Sequence, residues 1–316
     1  MTPTPAEVAH AAEVLRAGGL VAFPTETVYG LGAHAGQPAA LARVFAVKGR
    51  PPDHPLIVHL APGLDLDDWA LDVPPAARAL AAACWPGPLT MVLRRHPRVD
   101  PVATGGRDTV GLRVPAHPVA QDLLARVGGG VAAPSANRFG RVSPTTAAHV
   151  RADLGEDVDV VLDGGPCAVG VESTIVDLTV EDPVVLRHGG VPVEVLEAVL
   201  GRPVGRHAAG PARAPGMLAA HYAPSARVVL CADADQAAAR AGRERAAGRR
   251  VRVLDPRVDA TAWAHALYGW LRDADVAGLD VLVVVPPPEE GLGVAVADRL
   301  RRAAVGSGGE VSPPTG

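Results

Sequence analysis

The residues best equipped for chemistry sit where apolar runs end. Leu20 to Phe23 reads as a short buried strand that exits into Pro24-Thr25-Glu26-Thr27-Val28-Tyr29-Gly30-Leu31. Hydroxyls and a carboxylate at a strand exit can grip a polar substrate, and strand-end loops are where such sites are built. The same residues could instead cap backbone groups in an ordinary turn. Lys48-Gly49-Arg50-Pro51 places two cations at a helix end. They suit a phosphate or carboxylate, the lysine as a mobile point charge and the arginine as a planar fork. The plainer reading is a charge effect at a helix C-terminus, worth about 0.3–1 kcal/mol. On that reading the lysine adds little stability, and its loss leaves folding intact. Rarity favours function: of 30 lysines plus arginines, Lys48 is the sole lysine. Asn137 is the only asparagine, and Ile57 and Ile175 are the only isoleucines.

His54-Pro55-Leu56-Ile57-Val58-His59 brackets a strand with histidines, a spacing too wide for one shared metal ion. Pro134-Ser135-Ala136-Asn137 follows a triple glycine and a short strand. Ser143-Pro144-Thr145 predicts a helix start, with Ser as N-cap and Pro at the first position, whose N-terminus would favour anions. Glu172-Ser173-Thr174 and Arg187-His188-Gly189-Gly190 are further polar groups at strand ends.

Several chemistries are disfavoured. The only lysine is not in a Gly-Lys-Ser/Thr loop, and Gly30 to Gly36 is one residue too long for a dinucleotide fingerprint. There is no Gly-x-Ser-x-Gly elbow. Cys84, Cys167 and Cys231 lie far apart, without zinc spacing, which fits a reducing compartment. The chain is 48% hydrophobic and 20% charged, with mean hydropathy +0.17, so it is globular rather than disordered. A net charge of −4 gives no bulk case for nucleic acid or an anionic membrane. No aliphatic run approaches the ~20 residues that span a bilayer, and the N-terminus does not read as a signal peptide. A soluble, cytoplasmic protein is expected.

Its 316 residues suggest about two domains. Up to residue 200, strands and helices mingle without strict alternation, which predicts a mixed sheet. Helices are expected at Pro5–Ala17, Pro38–Gly49, Pro75–Cys84, Pro118–Val127 and Pro192–Leu200. Residues 201–224 are rich in Gly, Pro and Ala and read as a linker. Residues 225–305 alternate strand and helix, predicting a small parallel sheet flanked by helices. Residues 306–316 read as a disordered tail.

Taken together and in order, these motifs resemble the YrdC-like family of threonylcarbamoyl-AMP synthases. The carrying stretches are Phe23 to Leu31, Lys48 to Pro51, Pro55 to His59, Val110 to Pro115, Pro134 to Asn137, Ser143 to Thr145, Ser173 to Asp177 and Leu186 to Gly190. The resemblance covers about residues 5–200. Ala214 to Pro224 is similar to the linker of the family's long form, and residues 225–305 match its extra, small Rossmann-like three-layer α/β domain by position. The resemblance implies a twisted mixed-sheet α/β domain, 1–200, with a concave basic face. It implies that L-threonine, bicarbonate and ATP with Mg2+ give threonylcarbamoyl-AMP and pyrophosphate. The product would serve a threonylcarbamoyl-transferase complex acting on tRNAs that read ANN codons, and direct contact with tRNA is a further expectation. By resemblance, Thr27, His59, Arg113, the Ala133 backbone and Ser173 hold threonine. Lys48, Arg50, His54, Thr109, Ser135, Asn137, Ser143 and Arg187 face ATP, with Lys48 and Arg50 as the catalytic cations. Tyr222 of the linker closes over the nucleotide as a lid. At His54 many relatives carry Asn. No side-chain metal site is implied. Two other readings compete: a non-catalytic RNA-binding module that uses the concave face, and a carbamoyl-transfer maturation enzyme. The cysteine spacing excludes the zinc fingers of the latter.

Overall fold

Short strands with buried alternate positions must pair widely to hide their apolar faces. In the computed structural model, which describes residues 2–206 and 221–311, they do so in two units. Unit one comprises Met1–Phe139 with Pro144–Met217, and unit two Gly140–Ser143 with Leu218–Gly316.

Unit one is built on a mixed sheet. From edge to edge it runs through Gly205–Arg206, Val184–Arg187, Thr174–Asp177, Leu89–Arg95, Thr109–Arg113, Ile57–His59, Val131–Ala132, Gly30–His34, Val21–Phe23 and Val160–Val161. Ala70–Leu71 pairs with Leu89–Arg95 outside this path. Ile57–His59 and Thr109–Arg113 run parallel, as do Leu89–Arg95 and Thr174–Asp177. Leu89–Arg95 and Thr109–Arg113 run antiparallel. One face packs on the helices Pro38–Lys48, Pro75–Cys84, Ala147–Leu154 and Val193–Leu200. The opposite face is shared. The helices Pro5–Arg16 and Pro118–Val127 pack on one part, and Ile57, Val92, Ile175 and Leu186 form a small apolar floor on the other.

Two expectations change here, and one strand is added. Ser143 does not start a helix. The carbonyls of Pro144 and Thr145 accept from the Tyr29 and Cys167 amides, which holds that segment extended. The helix begins at Ala147, capped by Thr146, whose Oγ1 accepts the His149 amide at 3.2 Å. Gly30–His34, for which the sequence suggests no element, is a strand. The expected linker also starts later than residue 201, because Gly205–Arg206 extends the sheet edge beside Val184–Arg187. Of the rest of that stretch, residues 207–220 lie outside the described residues.

Unit two is a parallel sheet ordered Val251–Leu254, Val281–Val284, Arg227–Leu230 and Glu310–Val311. Ala234–Ala246 packs on one face, and Ala260–Val276 and Leu292–Gly306 lie on the other, giving the expected three layers. The tail expected to be disordered from 306 is structured as far as 311, with Glu310–Val311 as the edge strand. That strand is tied down by charge. Glu310 pairs with Arg240 at 2.7 and 2.8 Å. The buried Glu244 accepts from Arg227 at 2.5 Å, from Arg240 Nε at 2.9 Å, and from Arg249. Truncating Glu244 leaves three guanidinium groups without their common carboxylate. Glu244→Ala should therefore lower unfolding stability by roughly 1–3 kcal/mol, since the arginines keep partial access to water. A urea titration with an unmoved midpoint would remove the cluster's assigned role.

Candidate active site

Side chains along a strand alternate between faces. Met91, Leu93, Val110, Leu112 and Val58 belong to the helix-covered core. Thr90, Thr109, Arg113, Ile57 and His59 are thereby turned to the opposite face. Register extends the set: His59 lies opposite Arg113, Thr90 opposite Ile175, and Ile175 opposite Arg187. Both isoleucines are floor residues of this face.

Arg113 is the centre of one buried cluster. Its Nε donates to Gly87 O at 3.3 Å. Its Nη2 donates to Glu26 Oε1 at 2.8 Å and to Thr27 Oγ1 at 2.9 Å. The other Glu26 oxygen accepts the Ala116 amide at 3.0 Å, and Thr25 and Thr27 bond through their hydroxyls at 2.8 Å. The guanidinium is thus neutralised and oriented before any ligand binds. Among the described residues its Nη1 amino group has no partner, so a substrate carboxylate would meet that end rather than the whole fork.

His59, beside it, is 3% exposed and its Nδ1 has no hydrogen-bond partner among the described residues. Burial and the Arg113 charge pull its pKa down to about 3, with the Ile57 and Val131 backbone opposing. An unfolded histidine keeps its proton up to pH ~6.5. Between those values the unfolded chain binds more protons, so stability is complete above ~6.5 and is lost as pH falls toward 3. His59→Gln should flatten the decline in denaturant midpoint between about pH 7 and about pH 4. Identical slopes in the two proteins would acquit His59.

Lys48 anchors a second cluster. The helix Pro38–Lys48 stops at Gly49, which takes a left-handed φ of 64° suited to glycine. Lys48 is 3% exposed, not a solvated helix-end charge. Its Nζ donates to Ser135 O at 2.5 Å and Asn137 O at 2.6 Å, while its own carbonyl accepts the Phe139 amide. Burial and the Arg50 charge hold its pKa well below the usual lysine value, with Asp153 opposing. The expectation that its loss leaves folding intact is therefore corrected: two buried carbonyls depend on it. Arg138 closes the same junction, donating to Val47 O and to Asp153 O and pairing with Asp157.

The other predicted residues fall nearby or elsewhere. Arg50 donates to Pro55 O at 3.0 Å and lies over the Phe139 ring, against which His54 also packs. The amide of Ala133 donates to Ile57 O at 2.9 Å. Ser173 accepts from Arg187 at both its carbonyl and its hydroxyl, at 2.8 and 3.0 Å. Thr109 stands at the far end of its strand from Arg113, about 13 Å away at ~3.3 Å per residue. It lines a cavity of about 640 Å³ with Arg94, Arg107, Asp108, Asp177 and Thr179. Ser143 and Tyr222 belong to unit two. There Tyr222, buried at φ 61°, stacks on Tyr268 at 5.7 Å and lies against Arg299. Sequence reasoning missed the pairing of Glu26 with Arg113 and passed over Thr90 and Arg138. The motif placed Glu26 beside Thr27, but its partner stands 87 residues away.

The chain is similar to known proteins over nearly its whole length. A family model for Sua5, YciO and YrdC, described as "Telomere recombination", matches residues 13–189. One described as "Threonylcarbamoyl-AMP synthase, C-terminal domain" matches 191–305. The threonylcarbamoyl-AMP synthase of Pyrococcus abyssi is 42% identical, with 93% of each chain covered. That of Bacillus subtilis is 38% identical, covering 95% of this chain and 93% of its own. The crystal structure of P. abyssi Sua5 complexed with L-threonine superposes with a TM-score of 0.92 at 40% identity, covering 97% of this chain and 96% of that one. No helix among the described residues is long and apolar enough to cross a membrane. Matched across both of its domains and nearly end to end, the chain belongs to the threonylcarbamoyl-AMP synthase family.

Proposed function

We propose that the chain joins L-threonine, bicarbonate-derived CO2 and ATP into threonylcarbamoyl-AMP with release of pyrophosphate, as a nucleotidyltransferase. The threonine amine adds to CO2, forming a C–N bond and releasing a proton. A carbamate oxygen then attacks the α-phosphorus, and the bond from that phosphorus to the leaving pyrophosphate breaks. Two anions must meet, so charge neutralisation and positioning are the main tasks. The observation that carries the reading is the pre-neutralised Arg113, with one amino group unspoken for, opposite a neutral His59. Arg113 would take the carboxylate, and His59 Nδ1 would accept a hydrogen bond from the amine. With its pKa near 3, His59 orients the amine without holding its proton. Lys48, Arg50 and Arg187 supply positive charge for the phosphates. Mg2+ would enter with ATP, held by phosphates and water. Among the described residues no cluster of three His, Cys, Asp or Glu side chains could cage it. The product would pass to a threonylcarbamoyl-transferase acting on tRNA. Incubation with ATP, Mg2+, bicarbonate and threonine should release pyrophosphate only when threonine is present. Folded protein that releases none sinks the proposal.

A further inference from the structure

Thr90 is fully buried, and its Oγ1 lies 2.7 Å from Ser173 Oγ. A hydroxyl has one hydrogen to give and two lone pairs to receive with. Among the described residues Thr90 Oγ1 has no other hydrogen-bond partner, and a buried O–H without an acceptor is costly. Either hydroxyl can donate across this pair, and one hydrogen is left over in each case; with Thr90 as the donor the open hydrogen is that of Ser173, on the face that carries Arg113, where a bound ligand can accept it. Ser173 Oγ then accepts twice, from Thr90 and from Arg187 Nη2 at 3.0 Å. Both of its lone pairs are used, and its own hydrogen has no acceptor among the described residues. Position supplies the direction of use. Thr90 stands one step beyond the Met91–Leu112 pair, across from Arg113, and on the face that carries His59.

We propose that Thr90 is a positioning residue, fixing the Ser173 hydroxyl as a hydrogen-bond donor to an anionic oxygen of the amino-acid substrate. That oxygen belongs to the carboxylate or to the carbamate formed on the amine. The inference rests on the proposed synthase function and adds to it a polarity: Ser173 gives a hydrogen to the substrate and takes none. Arg187 completes the arrangement from the side expected to face the nucleotide, so one hydroxyl joins the two substrate halves.

The test uses the full chain and calorimetric titration, so binding is read apart from turnover. Thr90→Val removes the hydroxyl at nearly constant volume and should weaken L-threonine binding about 3- to 10-fold, the range of one hydrogen bond. Thr90→Ser should restore it. Affinity for a non-hydrolysable ATP analogue should stay within about 2-fold. Ser173→Ala should weaken threonine binding, and adding Thr90→Val to it should cost nothing more. Thr90→Ala takes the place of the valine variant if that one does not fold. Threonine binding unchanged in Thr90→Val overturns the proposal. So does the same penalty in the Ser173→Ala background, or an equal loss for threonine and the ATP analogue, which marks packing. If the unaltered chain does not bind threonine, the synthase function falls with it, which is a separate outcome.

Discussion

Replacing Lys48 by methionine is expected to cut kcat/KM for ATP about 10²- to 10³-fold. It should also lower unfolding stability by roughly 1–3 kcal/mol. Methionine keeps the buried stem and loses the donors, so the carbonyls of Ser135 and Asn137 lose the bonds that tie them to the helix end. Lys48→Ala adds a cavity and should be less stable still. The catalytic loss has a separate origin. A neutral lysine amine has two hydrogens, and both are taken by those carbonyls. The third N–H, the one available to a phosphate, exists only in the ammonium form. Burial holds the Lys48 pKa well below its usual value, and phosphate binding favours the charged form. ATP affinity should therefore fall with rising pH sooner than a solvated lysine would allow. Pyrophosphate release and urea unfolding measured on the same preparations separate the two losses. A Lys48→Met protein with unaltered turnover contradicts the catalytic role, and an unmoved midpoint contradicts the structural one.

Arg113→Met should be the most damaging single change in the site. It leaves Glu26 as a buried carboxylate without its cation, at an expected cost of about 3–5 kcal/mol. It also removes the amino group proposed to take the threonine carboxylate. The second change Glu26→Gln separates these effects. Without the stranded charge, the double variant should regain most of the lost stability, and threonine binding should stay absent. Stability that does not return would mean Arg113 acts mainly through Gly87 and Thr27. Threonine binding that does return would place the carboxylate elsewhere.

Much of the frame was legible in the residues. Pro75–Cys84 and Pro118–Val127 lie where proline starts and, for the second, a glycine stop put them. Gly30–His34 was not legible, because two glycines in five residues suppress the strand signal. The structure gives the reason for one of them: a Cβ on Gly32 would lie 2.8 Å from Val131 Cγ1 and 2.9 Å from the Phe23 ring, so neighbouring strands close over bare backbone. The types of site residue were legible as well, from their crowding at strand ends. Their protonation and burial were not. Lys48 is buried by a loop 87 and 89 residues away, and Glu26 is neutralised by an arginine 87 residues on. Local patterning carries no record of such partners. Ser143 misled for a related reason, since its helix-start signature is overridden by strand-like bonds from Tyr29 and Cys167.

The burial of Lys48 turns the chain into its own reporter of opening. A protease that cuts only after lysine finds a single bond in this protein, the one joining Lys48 to Gly49. That bond lies at a helix end, with its side chain and carbonyl both held by the 135–139 loop. Cleavage must wait until that junction comes apart. The rate at which two fragments appear then measures local unfolding at the corner proposed to face the nucleotide, with no label added. Ligands that bind there should slow the cut in proportion to their occupancy.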